Sequence, residues 1–193
     1  MSRKISRVPY RLDAKNISHL PLDEIKQIIR GADSIVGEGG RNLLAKILKG
    51  SRERRVLELH LDKVPVYGCF KDLTIKQITE KIDWVILNGY LRIEYDYRLP
   101  LLYHTARGWE IAKEIRINEI IGQFDEMLES GVDYYNMRFL KDRNREMIFE
   151  LLEKIKESKK REYIPLLEAW EKIDYKKVRN RIRSVIEELN KEN

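Results

Sequence analysis

Apolar residues recur at helical spacing through the first part of the chain until an alternating stretch interrupts them. Ile25, Ile28, Ile29 and Ala32 share one face of a helix predicted from about Leu22 to Val36, which Gly37, Gly39 and Gly40 break. Leu43, Leu44, Ile47 and Leu48 define a second helix from about Arg41 to Leu48, and Gly50 is suited to end it in the left-handed conformation. Ser51 is expected to cap the segment that follows, opening backbone N–H groups beside Arg52, Arg54 and Arg55. Thr74 and Gln77 form a capping box at the head of a helix running to about Leu87, with Ile75, Ile78, Ile82, Val85 and Ile86 as its inward stripe. Asn88-Gly89 ends that helix, and Tyr90 to Tyr95 then alternates as a strand does. Asp96-Tyr97-Arg98 supplies a hairpin tip, Leu99 to His104 the returning strand, and Arg107-Gly108-Trp109 leads into another helix. Helices followed by a hairpin predict a mostly α chain with a small β wing, the winged-helix variant of the helix-turn-helix plan, over residues 22–115.

From about Arg116 the pattern is helical throughout, with breaks near Ser130-Gly131, Ser158-Lys159-Lys160 and Asp174. Met147, Ile148, Leu151, Leu152 and Ile155 make one stripe. Leu166, Leu167, Trp170 and Ile173 make another, with Pro165 tolerated in its first turn, and Val178, Ile182, Val185, Ile186 and Leu189 a third. Residues 116–193 are therefore expected to form a separate all-α domain, either a small bundle or a HEAT-like stack. Its helices offer either a protein-docking or dimerising surface or plain structural support. Residues 1–21, with Pro9 and Pro21, read as a basic, loop-like leader.

Charge changes the picture by its position more than by its total. The chain of 193 residues is 42% apolar and carries a formal net charge of +6. Residues 1–55 hold 13 basic against 6 acidic side chains, whereas residues 116–193 balance 17 against 17. One sign concentrated in one region suits a phosphate partner, while interleaved signs suit a solvated helical face. The densest run is Arg41, Lys46, Lys49, Arg52, Arg54 and Arg55, opposed only by Glu53; it is read either as a phosphate-binding patch or as an ordinary solvated corner. A single cysteine, Cys69, excludes an intrachain disulfide and a multi-thiolate zinc site, which fits a reducing, cytoplasmic setting. No stretch approaches the roughly 20 apolar residues that span a bilayer, and the leader lacks an apolar core segment, so neither membrane insertion nor secretion is expected.

Several short motifs, in their order and spacing, resemble the RecQ C-terminal (RQC) winged-helix domain of RecQ-type helicases. They are Ile47-Leu48-Lys49-Gly50-Ser51, Pro65-Val66-Tyr67-Gly68 leading to Lys71-Asp72, the cap Thr74, the helix end Asn88-Gly89-Tyr90-Leu91, and Thr105-Ala106-Arg107-Gly108. The resemblance implies binding to branched, forked or partly unwound DNA. It places Lys49, Ser51 and Arg55 on phosphates at the corner before the predicted third helix, and suggests Tyr97 as a tip that stacks on a base. With the basic run these define a DNA-binding set completed by Lys46, Arg52, Arg54, Lys71, Thr74, Lys76 and Arg98. The chain also resembles small bacterial proteins in which such a domain stands alone.

Three features depart from the helicases. There is no G-x-x-x-x-G-K-[ST] loop and no acidic magnesium-binding motif, so no motor is expected. The cysteines that precede this domain in those enzymes are missing, so neither a structural zinc nor any other cofactor is implied. Phe70 stands where the helicases usually have glycine, and the tryptophan expected near the beginning of the recognition-position helix is absent.

An enzymatic reading finds little support: His19, His60 and His104 lie far apart, Cys69 sits in no nucleophile motif, and Trp84, Trp109 and Trp170 suit packing. The segment Thr74 to Leu87 balances Lys76 and Lys81 against Glu80 and Asp83 and offers few side chains for base edges. The expectation is thus a non-catalytic, nucleoid-associated accessory factor of replication, repair or recombination that recognises DNA structure through the backbone. The alternatives are a winged-helix transcriptional regulator bound to a duplex operator, and an adaptor that has lost DNA contact.

Overall fold

The computed structural model of the chain describes residues 6–132 and 134–191. The first five residues of the leader, Arg3 and Lys4 among them, lie outside the described residues. Contacts gather the chain into two units, Met1–Ile115 and Arg116–Asn193.

The first unit is a winged helix. It runs α1 (Leu22–Asp33), α2 (Arg41–Lys49), a short α3 (Arg54–Glu58), a 3-10 turn at Leu61–Lys63, α4 (Ile75–Leu87), and the hairpin β1 (Leu91–Asp96) and β2 (Leu99–His104). α5 (Ala106–Glu129) begins directly after the hairpin. Ile28 and Ile29 of α1, Leu44, Ile47 and Leu48 of α2, and Ile78, Ile82 and Val85 of α4 are all buried in one core, and Leu91 and Leu102 of the hairpin join them. Removing such branched side chains from water supplies the main driving force for this packing. Ile75 departs from its predicted inward place: as the first residue of α4 it lies at the rim of the core, 39% exposed, while Trp84 is buried.

The capping box at the head of α4 is present in both halves: Gln77 N–H donates to Thr74 Oγ1, and Thr74 N–H donates to Gln77 Oε1. α1 stops three residues earlier than Val36. Backbone pairing with the wing competes with the last turn: Gly37 N–H donates to Leu102 O at 3.0 Å, and Leu102 N–H donates to Gly39 O at 2.9 Å. The hairpin register pairs Leu91 with His104 and Asp96 with Leu99, so β1 begins one residue later than the alternation suggested and the loop is Tyr97-Arg98.

The second unit holds the end of α5, then α6 (Arg145–Ser158), α7 (Ile164–Glu171) and α8 (Lys176–Lys191), with 3-10 turns at Met137–Leu140 and Arg161–Tyr163. Leu151, Leu152, Leu166, Leu167, Trp170 and Ile182 are fully buried. Phe124 meets Tyr163 and Trp170 edge-on, with ring centroids 5.9 and 6.4 Å away. Asn144 caps α6 by accepting from Met147 N–H, and Pro165 occupies the first turn of α7. No helix among the described residues is long and apolar enough to cross a membrane.

Candidate nucleic-acid interface

The corner after α2 is assembled from two separated sequence motifs. Gly50 takes φ +76°, which turns the chain out of the helix, and Ser51 N–H donates back to Lys46 O. The carbonyls at this helix end are met by the segment around Gly68: Gly68 N–H donates to Ile47 O at 2.9 Å, beside the bond from Gly50 N–H, and Phe70 N–H to Leu48 O at 2.8 Å. Tyr67 OH donates to Ser51 O at 3.1 Å. Lys49 Nζ donates to Lys71 O, which brings Lys49 beside Lys71. Residues 47–51 and 67–71 are thus held side by side. Phe70 is buried in the core, which accounts for an apolar side chain there.

Ser51 has a different part from the expected one. The N-cap of α3 is Glu53, and Ser51 Oγ accepts from Glu53 N–H at 3.3 Å, a side-chain turn inside the corner that delays the helix to Arg54. Around it Arg52, Arg54 and Arg55 are exposed. Arg54 leans on Glu58 at 2.7 Å and Lys46 on Glu53 at 2.6 Å. Arg52 and Arg55 have no ion pair among the described residues, and both remain available to an anion. Lys71 and Lys76 are exposed nearby in sequence, Lys76 within the first turn of α4. Thr74 Oγ1 is engaged by its capping bond.

Arg41 is drawn elsewhere. Its guanidinium bonds the Asp83 carboxylate at 2.5 Å and Arg11 O at 3.0 Å, with the two side chains only 17% and 3% exposed. Asp83 also accepts from Asp13 N–H at 2.8 Å. Arg41 therefore ties the leader to α2 and α4, and the exposed cationic patch begins beyond it. Lys81 is likewise held by Glu24 at 2.5 Å. Two of the four charges on α4, Lys81 and Asp83, are thus engaged by partners within the unit, while Lys76 is exposed.

The wing ends in Tyr97, 67% exposed with φ +51°, free of hydrogen bonds and ring contacts among the described residues. Arg98 is not free: its Nε donates to Ser6 O at 2.9 Å, and its carbonyl accepts from Val8 N–H at 2.9 Å. Tyr95 OH donates to Val8 O at 2.8 Å, and Arg7 lies over the Tyr95 ring at 4.8 Å. The leader is strapped along the wing, a relationship the sequence reading missed. The alternation that puts Tyr95 on the core-facing side of β1 was the signal available.

At the base of the wing two further motifs close on one another. Thr105 Oγ1 donates to Gly89 O at 2.6 Å, and Arg107 donates to Asn88 O and to Tyr90 OH while lying 3.9 Å above the Tyr90 ring. Gly108 passes so close that a Cβ there would fall 1.9 Å from Tyr90 O.

The model of the RQC domain family matches residues 22–123. Over 74 residues the chain is 27% identical to the ATP-dependent DNA helicase RecQ of Bacillus subtilis (strain 168), a stretch covering 38% of this chain and 12% of the relative. The chain therefore aligns with only a small part of the length of that helicase. No solved structure matches.

Proposed function

The chain belongs to the RQC domain family through residues 22–123, and from that footing we propose that it is a non-catalytic DNA-binding protein recognising branched, forked or end-containing DNA. The observation that carries this reading is the corner itself. Lys49 and Lys71 are brought together there, and Arg52 and Arg55 stand exposed without ion pairs among the described residues. Such a patch neutralises phosphates and is indifferent to base identity. α4 keeps few charges for the major groove because Lys81 and Asp83 are engaged inside the unit. Contact through the corner and the wing tip therefore favours structure recognition, with a role in replication, repair or recombination, over a regulator reading an operator. In this reading Tyr97, exposed at the wing tip, stacks on a base exposed at a junction or end. Binding of this kind calls for no cofactor or metal.

The test is fluorescence anisotropy with a fork, a single strand and a blunt duplex across a range of salt, using the native chain and an Arg52→Ala/Arg54→Ala/Arg55→Ala variant. Tighter binding to the fork is expected, with the salt dependence reduced by about 0.9 in slope for each phosphate contact the variant loses. Absence of binding to all of these at low salt would overturn the proposal, and tight binding confined to one duplex sequence would favour the regulator.

A further inference from the structure

The second unit carries an open cavity of about 580 Å³ where the beginnings of α6 and α8 converge. Its wall includes Arg145, the first residue of α6, and Lys176 and Lys177, the first two of α8. All three are exposed and have no ion pair or hydrogen bond from their side chains among the described residues. Two cations farther along α8 are paired: Arg181 with Glu153 and Arg183 with Glu171. Three cations without ion pairs among the described residues thus share one concavity.

The two carboxylates in the same wall, Asp142 and Asp174, keep their charge but are outnumbered by the four cations Arg143, Arg145, Lys176 and Lys177, and each is oriented by neutral donors. Asp142 accepts from Tyr175 OH at 2.7 Å, and Asp174 accepts from Trp170 Nε1 at 2.7 Å and Tyr175 N–H at 2.6 Å. Together they pin Tyr175, 56% exposed, at the rim, with Lys141 over its ring at 5.4 Å. A planar ring beside unpaired cations suits a phosphate that carries a base, since a charge-assisted contact and a stacking face are offered together.

We propose that this cavity is a second phosphate-binding site, taking a phosphate group borne by a nucleotide, either within a nucleic-acid strand or free. Its cations are those of the second unit, so it stands or falls independently of the corner in the first. The rival occupant is an acidic segment of a protein partner or of a second copy, the docking role expected for these helices.

The full chain labelled with ¹⁵N is titrated with a short oligothymidine, with AMP, with inorganic phosphate and with an oligoglutamate peptide. Amides near Arg145 and Lys176 are followed in the native protein, in the Arg52→Ala/Arg54→Ala/Arg55→Ala variant, and in an Arg145→Gln/Lys176→Gln/Lys177→Gln variant. Saturable shifts with a phosphate ligand are expected in the first two proteins and at least a tenfold weaker response in the third, with Lys176→Arg/Lys177→Arg restoring it. A response to oligothymidine and not to AMP identifies a strand as the source; the reverse identifies a free nucleotide. Unmoved amides with all three phosphate ligands, or an equal response to oligoglutamate, would overturn the proposal. Because the corner variant keeps this site intact, failure there is distinguishable from failure of DNA binding by the first unit.

Discussion

Gly50 and Gly68 meet backbone to backbone: a Cβ on Gly50 would lie 3.0 Å from the Gly68 Cα, and both residues hold φ above +70°. The corner that presents Lys49, Ser51 and Lys71 depends on this approach. Gly50→Ala is expected to cost about 2 kcal/mol from left-handed strain alone, with the neighbouring backbone also forced to shift. The check is a denaturant titration, in which the midpoint of the first unit falls while DNA binding at temperatures where it stays folded is weakened through displacement of the corner.

Arg41 and the arginines after Ser51 should separate in kind. Arg41→Ala leaves the 3%-exposed Asp83 carboxylate without its cation and is expected to destabilise the first unit by about 3 kcal/mol. Arg52→Ala, on the exposed corner, should stay within about 0.5 kcal/mol of native stability while weakening DNA binding. Thermal melts beside anisotropy on the same samples read both effects. Equal destabilisation by the two substitutions would contradict the division.

At the wing tip the two properties should move in opposite directions. Tyr97 holds φ +51°, a conformation that costs a side-chain-bearing residue about 1 kcal/mol and glycine almost nothing. Tyr97→Gly is therefore expected to leave stability unchanged or raised while removing a stacking surface worth about 1–3 kcal/mol toward an exposed base. Loss confined to fork and single strand, with duplex binding intact, supports the stacking role; unchanged fork binding removes Tyr97 from the interface.

In the second unit, Tyr163 OH donates to Asp125 at 2.6 Å and Lys160 adds a weaker bond, so the Asp125 carboxyl is held below its ordinary value. A carboxylate favoured by folding contributes stability above the ordinary carboxylate range and loses it as pH falls through the lowered value. Tyr163→Phe should move Asp125 back toward its ordinary pKa and weaken the acid-side loss of stability. Side-chain NMR titration of Asp125, with melts at about pH 3 and pH 6, checks the direction. An unmoved Asp125 would show that Lys160 dominates.

Local chemistry made much of the fold legible. The Thr74–Gln77 box, the left-handed Gly50 and the two-strand hairpin follow from residue types and spacing over a few positions, and the structure contains all of them. What spacing does not reveal is which distant group a residue meets. Arg41 finds Asp83 across 42 positions, and Tyr95 finds Val8 across 87, so one basic side chain left the exposed run and the leader acquired a place along the wing. Ser51 misled because a serine before a helix serves equally as a cap or as a side-chain turn ahead of it, and here its Oγ meets Glu53 N–H. Of the candidate site, the charge run showed where cations accumulate. Which of them carry partners required the acidic residues to be located in space.

The strap from leader to wing has a thermodynamic consequence. A two-stranded hairpin by itself is marginally ordered in water. Here Val8 and Ser6 hold its far end, and Thr105 and Arg107 hold its base against Asn88 and Tyr90. Most of the hairpin's conformational freedom is surrendered during folding, before any ligand arrives, so docking need not supply that ordering. Cutting Tyr95 OH from Val8 by Tyr95→Phe should therefore appear first as a larger entropic penalty of association in calorimetry, even where the bound contacts are the same.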